Sequence, residues 1–122
     1  MTPHVRNYTI CGQLDYTPTV VFAYDDRKIY ISGVCIPEDP RSLFQQIYEQ
    51  LRKFSCLVEL SIDLRYFNTP SSKMLLMLLY DIKDIFTNTT VRWITESDDT
   101  DIIESGTIYQ DMTQLDFIFE IR

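Results

Sequence analysis

Glycine and histidine, which many binding and catalytic motifs require, are scarce in this sequence. Its three glycines are Gly12, Gly33 and Gly106, so the chain can form neither a GxGxxG fingerprint nor a Walker A loop. The single histidine is His4, close to the start, where chains usually fray. This position argues against a Ser-His-Asp or Cys-His catalytic pair and against a zinc site that uses histidine.

The sequence also has few basic residues and no long hydrophobic run. The chain has 11 Lys and Arg against 18 Asp and Glu, and its net charge of −7 would repel a phosphate backbone or an anionic membrane surface. The longest mostly apolar run, residues 74–80, is far too short to span a bilayer, and no basic and then apolar signal opens the sequence. We therefore expect no nucleic-acid partner, no membrane insertion and no secretion.

The three cysteines predict a reducing environment. Cys11, Cys35 and Cys56 are an odd number without CxxC spacing, and each has apolar or β-branched neighbours. We expect all three to be reduced and mostly buried, with neither a disulfide nor a metal between them, in a cytoplasmic protein.

The hydrophobic pattern predicts one α/β domain over residues 1–122, because no linker, repeat or low-complexity segment divides the 122 residues. The order is β-β-β-α-β-α-β-α-β. The predicted elements are strands at 8–11, 19–24 and 28–34, a helix at 41–54, a strand at 57–64, a helix at 70–87, a strand at 90–95, a short acidic helix from Ser97 or Asp98 to about Glu104, and a strand at 115–121. Right-handed crossovers would place helices 41–54 and 70–87 on the same side of a mixed sheet of five or six strands.

An acidic run near residue 100 is the first candidate for a site. Clustered carboxylates can hold Ca²⁺ or Mg²⁺, but the spacing does not match an EF-hand loop, and acidic residues also suit a helix N-terminus. We therefore favour a solvated helix start and expect no metal. The run consists of Glu96, Asp98, Asp99, Asp101 and Glu104.

The second candidate is the junction between strand 57–64 and helix 70–87. Hydroxyl and amide side chains gather there, at Asn68, Thr69, Ser71 and Ser72. Thr69 followed by a proline predicts that Thr69 is the N-cap, and capping alone explains most of this composition. The functional alternative is phosphorylation, because a helix N-terminus tolerates a phosphate on its capping hydroxyl.

The helix that follows has a wider apolar arc than one sheet contact needs. Met74, Leu76, Met77 and Tyr80 lie partly off its main stripe. Methionines in such a place suit an adaptable protein-binding face, although a helix covered on two sides by its own domain would look the same.

These residues bring the chain close to a known family. It resembles the SiaC family of bacterial regulatory phosphoproteins over nearly its whole length. The specific part is the aromatic-Asn-Thr segment 66–69 followed by Ser-Ser-Lys at 71–73. Supporting segments lie at 17–22, 31–33, 37–39, 91–93 and 98–106, and the chain departs from the pattern at Pro70, where serine is usual.

The resemblance implies a fold similar to the STAS domains of anti-sigma-factor antagonists, and a phosphorylation switch without catalysis. It implies that a cognate kinase phosphorylates Thr69 and a PP2C-type phosphatase removes the phosphate. The unphosphorylated form would bind and regulate an effector, which is a diguanylate cyclase in the best-known member.

We expect the surface around Thr69 to contact these partners, without any cofactor. A second hypothesis is a small-molecule sensor with a ligand crevice at the carboxyl ends of the strands. The residues predicted to contact the partners are Tyr66, Phe67, Asn68, Ser71, Ser72, Lys73, Met74 and Met77.

Overall fold

The computed structural model describes residues 7–10 and 16–122. Within these ranges, six strands and three helices follow one another in the predicted order. They are β1 Asn7–Ile10, β2 Thr19–Ala23, β3 Lys28–Cys35, α1 Pro40–Leu51, β4 Glu59–Phe67, α2 Thr69–Ile85, β5 Thr90–Thr95, α3 Thr100–Thr113 and β6 Asp116–Ile121.

The strands form one mixed sheet in which their spatial order is their chain order, β1-β2-β3-β4-β5-β6. The β1-β2 and β2-β3 pairs are antiparallel, whereas β3, β4, β5 and β6 run parallel. One helix connects each pair of neighbouring parallel strands. These right-handed connections all move along the sheet in the same direction, so they place the helices on the same side of it. The prediction of a mixed sheet of five or six strands, with α1 and α2 on one face, is confirmed, and the sheet has six strands.

The face of the sheet beneath the helices carries the hydrophobic core. Alternate residues of the central strands point into it and are buried, as the period of two along a strand requires. Members from the strands include Phe22, Ile29, Ile31, Leu60, Ile62, Leu64, Val91 and Trp93.

The opposite face carries polar groups and ion pairs. Arg92 on β5 binds Glu59 on β4 at 3.1 Å and Glu120 on β6 at 2.7 Å. Burial raises the pKa of the Glu59 carboxyl, but the hydrogen bonds from Arg92 and Ser61 outweigh it and hold that pKa below its ordinary value. Charge pairing thus links the three strands on the side that no helix covers.

Helix α3 differs from the prediction of a short acidic helix. Its N-cap is Asp99, whose side chain accepts a hydrogen bond from the Ile102 amide at 3.2 Å, and it continues to Thr113. Gly106 lies in the middle of α3. A Cβ atom there would stand 2.6 Å from Nε1 of Trp93, so the glycine allows α3 to lie directly on the indole ring.

A β-bulge shapes the end of β4. Gly33 pairs with Leu64 and Val34 with Tyr66, which leaves Arg65 without an opposite residue on β3. The extra residue reverses the alternation of side chains, so Phe67 pairs with buried Cys35 and packs edge-on against the Trp93 ring at 6.3 Å. Gly33 has a φ of 105°, which an L side chain rarely adopts.

The predictions for the cysteines can be compared at two positions. Cys35 and Cys56 are both free thiols; Cys35 is buried, and Cys56 is only partly buried because it lies in the loop between α1 and β4. Cys11, which was also predicted to end β1, lies outside the described residues, as does His4. In the described part of the chain, no helix is long and apolar enough to cross a membrane.

Candidate functional site

The candidate site lies where β4 passes into α2, and its N-cap is Asn68 rather than Thr69. Asn68 is extended (φ −85°, ψ 175°), and its Oδ1 accepts a hydrogen bond from the Ser71 amide at 3.1 Å. The prediction of Thr69 as the cap is wrong, because asparagine caps at least as well as threonine and stands one residue earlier. Thr69 and Pro70 are therefore the first two helical residues.

This one-residue shift leaves the Thr69 side chain exposed and unused by the fold. Its hydroxyl has no hydrogen-bond partner among the described residues. The first turn is secured without it, because Ser71 donates to the cap and the Ser72 amide donates to the Asn68 carbonyl at 2.8 Å. The Thr69 hydroxyl is thus free to be modified or to bind a partner.

Thr69 faces a groove that lies between the N-terminal ends of α1 and α2. The cavity has a volume of about 500 Å³, and two basic side chains, Arg41 from α1 and Lys73 from α2, line it together with Thr69. Asp39 caps α1 at the same end by accepting from the Ser42 amide at 3.2 Å. Two helix N-termini and two cations therefore surround the threonine, and the Asp39 carboxylate offsets part of their charge.

A second cavity of about 550 Å³ continues the groove along the two helices and shares Arg41, Lys73 and Met74 with the first. Met77 lines this part of the groove with half of its surface exposed. The Tyr48 hydroxyl donates a hydrogen bond to Asp81 at 2.7 Å and joins α1 to α2. Burial raises the pKa of Tyr48, and the neighbouring carboxylate raises it further, so the phenol stays neutral.

Behind Thr69, the first turn of α2 is fixed to the rest of the fold. Ser71 is 1% exposed and lies against Cys35 of β3. Burial raises the pKa of the Cys35 thiol, and the contact with the Ser71 hydroxyl offsets part of this rise. On the other side, the Tyr109 hydroxyl of α3 contacts Ser72 Oγ at 2.5 Å and donates to the Ser72 carbonyl at 3.0 Å.

The residues predicted to contact partners fall into three places. Lys73, Met74 and Met77 line the groove with Thr69. Tyr66 is 56% exposed but pairs with Val34 on the far side of the bulge, so it points away from the helices.

The rest of the predicted contact residues support the fold. Asn68 is the cap, Ser71 is buried, Ser72 is bound to Tyr109, and Phe67 is partly buried against the core.

Two residues of the groove, Asp39 and Arg41, did not figure in the predicted contact surface. Their sequence signal is the start of α1 after β3. Because β3 and β4 are parallel neighbours, the helices that follow them begin side by side at the same edge of the sheet. The acidic run, in contrast, gathers no metal ligands: the described residues contain no group of three His, Cys, Asp or Glu side chains that could hold a metal ion.

The described residues thus form a small α/β domain, a mixed sheet with three helices on one face and an exposed threonine between the N-termini of two of them. The chain belongs to the SiaC family of regulatory phosphoproteins, whose family model matches residues 12–121. The resemblance read from the sequence is thereby confirmed. No curated protein sequence matches the chain significantly.

Solved structures show the same fold. SiaC in the complex of the diguanylate cyclase SiaD with its activator SiaC, from Pseudomonas aeruginosa, is matched with a TM-score of 0.85 at 20% identity, over 94% of this chain and 99% of that chain. A structure of SiaC of Pseudomonas aeruginosa gives a TM-score of 0.75 at 21% identity, covering 95% and 97% of the two chains.

Proposed function

We propose that this chain is one regulatory domain without catalysis of its own, switched by reversible phosphorylation of Thr69 in the cytoplasm. A cognate kinase adds the phosphate, a PP2C-type phosphatase removes it, and the unphosphorylated form binds and regulates an effector protein. The observation that carries the proposal is the exposed Thr69 hydroxyl, which has no hydrogen-bond partner in the described part of the chain and lies in a groove beside Arg41 and Lys73.

The local electrostatics support a phosphate at this position. A phosphothreonine adds about −1.5 to −2 charges, and the α2 N-terminus offsets such a charge by about 0.3 to 1 kcal/mol. Arg41 and Lys73 lie in the same cavity and supply two positive charges. Because Asn68 performs the capping, modification of Thr69 removes no hydrogen bond seen among the described residues. We therefore expect the phosphorylated protein to stay folded.

The same groove explains how phosphate would release an effector. Met74 and Met77 provide an adaptable apolar surface next to Thr69, which an effector segment can cover. Covering it in the phosphorylated form would bury a dianion, and a buried charge without a full set of partners costs several kcal/mol. A loss of about 3 kcal/mol weakens binding more than a hundredfold.

A solved complex of a relative supports the choice of an effector class to test. SiaC of Pseudomonas aeruginosa is the activator of the diguanylate cyclase SiaD. We propose a diguanylate cyclase as the first effector to test for this chain, with the Thr69 face of the groove as its contact.

The test is a binding titration with phosphothreonine placed at one position during synthesis. We expect phosphorylation at Thr69 to weaken effector binding at least a hundredfold and to leave the melting temperature within a few degrees of the unmodified protein. Phosphothreonine at Thr87, exposed just past the other end of α2, is the matched control and should leave binding unchanged. Equal affinities for the unmodified and Thr69-phosphorylated proteins would refute the switch.

The groove also supports the second hypothesis, a small-molecule sensor. It lies at the carboxyl ends of β3 and β4, where open α/β sheets bind ligands, and its cations suit an anionic compound. Under this hypothesis, a small anion would bind the unmodified protein, and Arg41→Gln would abolish that binding.

A further inference from the structure

The last strand of the sheet, β6, presents an edge that the described residues leave open. It pairs with β5 on one side only. Three of its large apolar side chains are exposed: Ile118 by 47%, Phe119 by 39% and Ile121 by 54%. A strand edge with such side chains is a template for pairing with another strand, unless charge, proline or a covering segment blocks it.

The backbone pattern determines which groups of β6 face outward. The Arg122 amide donates to the Thr95 carbonyl of β5 at 3.0 Å, so the even-numbered residues of β6 direct their amide and carbonyl groups toward β5. Because these groups alternate along a strand paired on one side, the amides and carbonyls of Phe117, Phe119 and Ile121 point away from the sheet. These three residues at alternate positions thus offer a partner strand six groups that no described residue pairs.

From this edge we infer that the protein forms a symmetric dimer in which the β6 strands of two copies pair antiparallel, with Phe119 opposite Phe119 of the second copy. In this register, the outward groups of Phe117 face those of Ile121 in the partner copy. The side chains of Phe117, Phe119 and Ile121 lie on the same face of the sheet, because the β5 residues next to them all lie on one face. These β5 residues are Val91, Trp93 and Thr95. The pairing would therefore gather six apolar side chains at the two-fold axis.

The charges along β6 favour this pairing register over the registers shifted by one residue in either direction. With Phe119 on the axis, Asp116 stands on the other face opposite Arg122 of the second copy, a side chain that also binds Asp63 and Glu96 of its own copy, and Ile118 stands opposite Glu120. Moving the axis to Ile118 would set Asp116 against Glu120, and moving it to Glu120 would set Glu120 against itself. Like charges directly opposite each other destabilise a pair of strands. A second copy is thus a self-complementary occupant of this edge.

The size of the interface predicts a weak association. A single pair of short strands buries less than the roughly 1,600 Å² of a standard interface. We expect a concentration-dependent equilibrium between the 14.4 kDa monomer and a species of twice that mass, measured by sedimentation velocity over a hundredfold range of concentration. A monomer at every concentration would overturn the inference.

Variants test the interface and its register. Phe119→Lys sets two lysines against each other at the axis and should abolish the dimer, whereas Ile85→Lys, at a more exposed apolar residue of α2, should not change it. Asp116→Arg places an arginine opposite the partner's Arg122 and should weaken dimerisation roughly tenfold. This second variant still tests the interface if Phe119→Lys fails to fold. A dimer that survives both substitutions would place the contact elsewhere.

Hydrogen exchange identifies the strand directly. On dimerisation the amides of Phe117, Phe119 and Ile121 should become protected, whereas those of Ile118 and Glu120 are already bonded to β5 and should change little. Protection of the odd-numbered amides only when an effector is added would assign the edge to that effector and overturn the dimer.

Discussion

Removing the cap of α2 separates the structural role of Asn68 from the role proposed for Thr69. Asn68→Ala deletes the acceptor of the Ser71 amide, which lies 3.1 Å from Oδ1. Because Ser71 is only 1% exposed, water cannot easily replace the lost bond. The cost should lie in the upper half of the range for N-caps, about 1.5 kcal/mol, which lowers the melting temperature by roughly 5 °C.

Two companion variants make this prediction specific. Thr69→Ala removes an exposed hydroxyl that caps nothing, so the free energy of unfolding should change by less than about 0.5 kcal/mol. Asn68→Asp keeps an acceptor at the cap and adds a negative charge at the helix N-terminus, so its stability should equal or exceed that of the wild type. Urea unfolding at neutral pH measures all three. A larger loss for Thr69→Ala than for Asn68→Ala would refute the assignment of the cap.

Three further substitutions probe how the site is supported. Gly106→Ala should destabilise the protein by about 1 to 3 kcal/mol in urea unfolding, because its Cβ would meet the Trp93 ring at 2.6 Å, and a stabilised variant would contradict this packing. Tyr109→Phe loses the hydroxyl that holds Ser72, so amide exchange in the first turn of α2 should accelerate while the β6 amides stay unchanged. Above pH 4.5, the ordinary pKa of a glutamate, the lowered pKa of Glu59 stabilises the fold, and this stabilisation is lost as the pH falls. Acidification should therefore lower the melting temperature of the wild type more than that of Glu59→Gln. The same pH dependence in both proteins would disprove that contribution.

The order of the elements was predictable from the sequence because it rests on long patterns. The apolar stripe of α2 and the alternation along β4 repeat over many residues, so each signal survives local exceptions. From that order, right-handed crossovers lead to the parallel strands and to helices on one face. The family was also recognisable, since its specific segment at 66–73 is continuous in the chain.

Features that depend on single contacts were not predictable. Asn68 and Thr69 are both good caps, and only the backbone geometry decides between them. The bulge at Arg65, which turns Phe67 inward and Tyr66 outward, has no signature in the alternation of β4. Arg41 enters the groove through the pairing of β3 with β4, so its role depends on a contact between residues far apart in the chain.

The agreement between strand order and chain order has a consequence for how the protein is made. No strand has to be inserted between two strands already paired, because each new strand adds to the outer edge left by its predecessor. A chain leaving the ribosome can therefore extend its sheet one β-α unit at a time, with each helix closing over the strand just laid down. Of the described strands, β6 is added after the others, and no later described segment covers its outer edge.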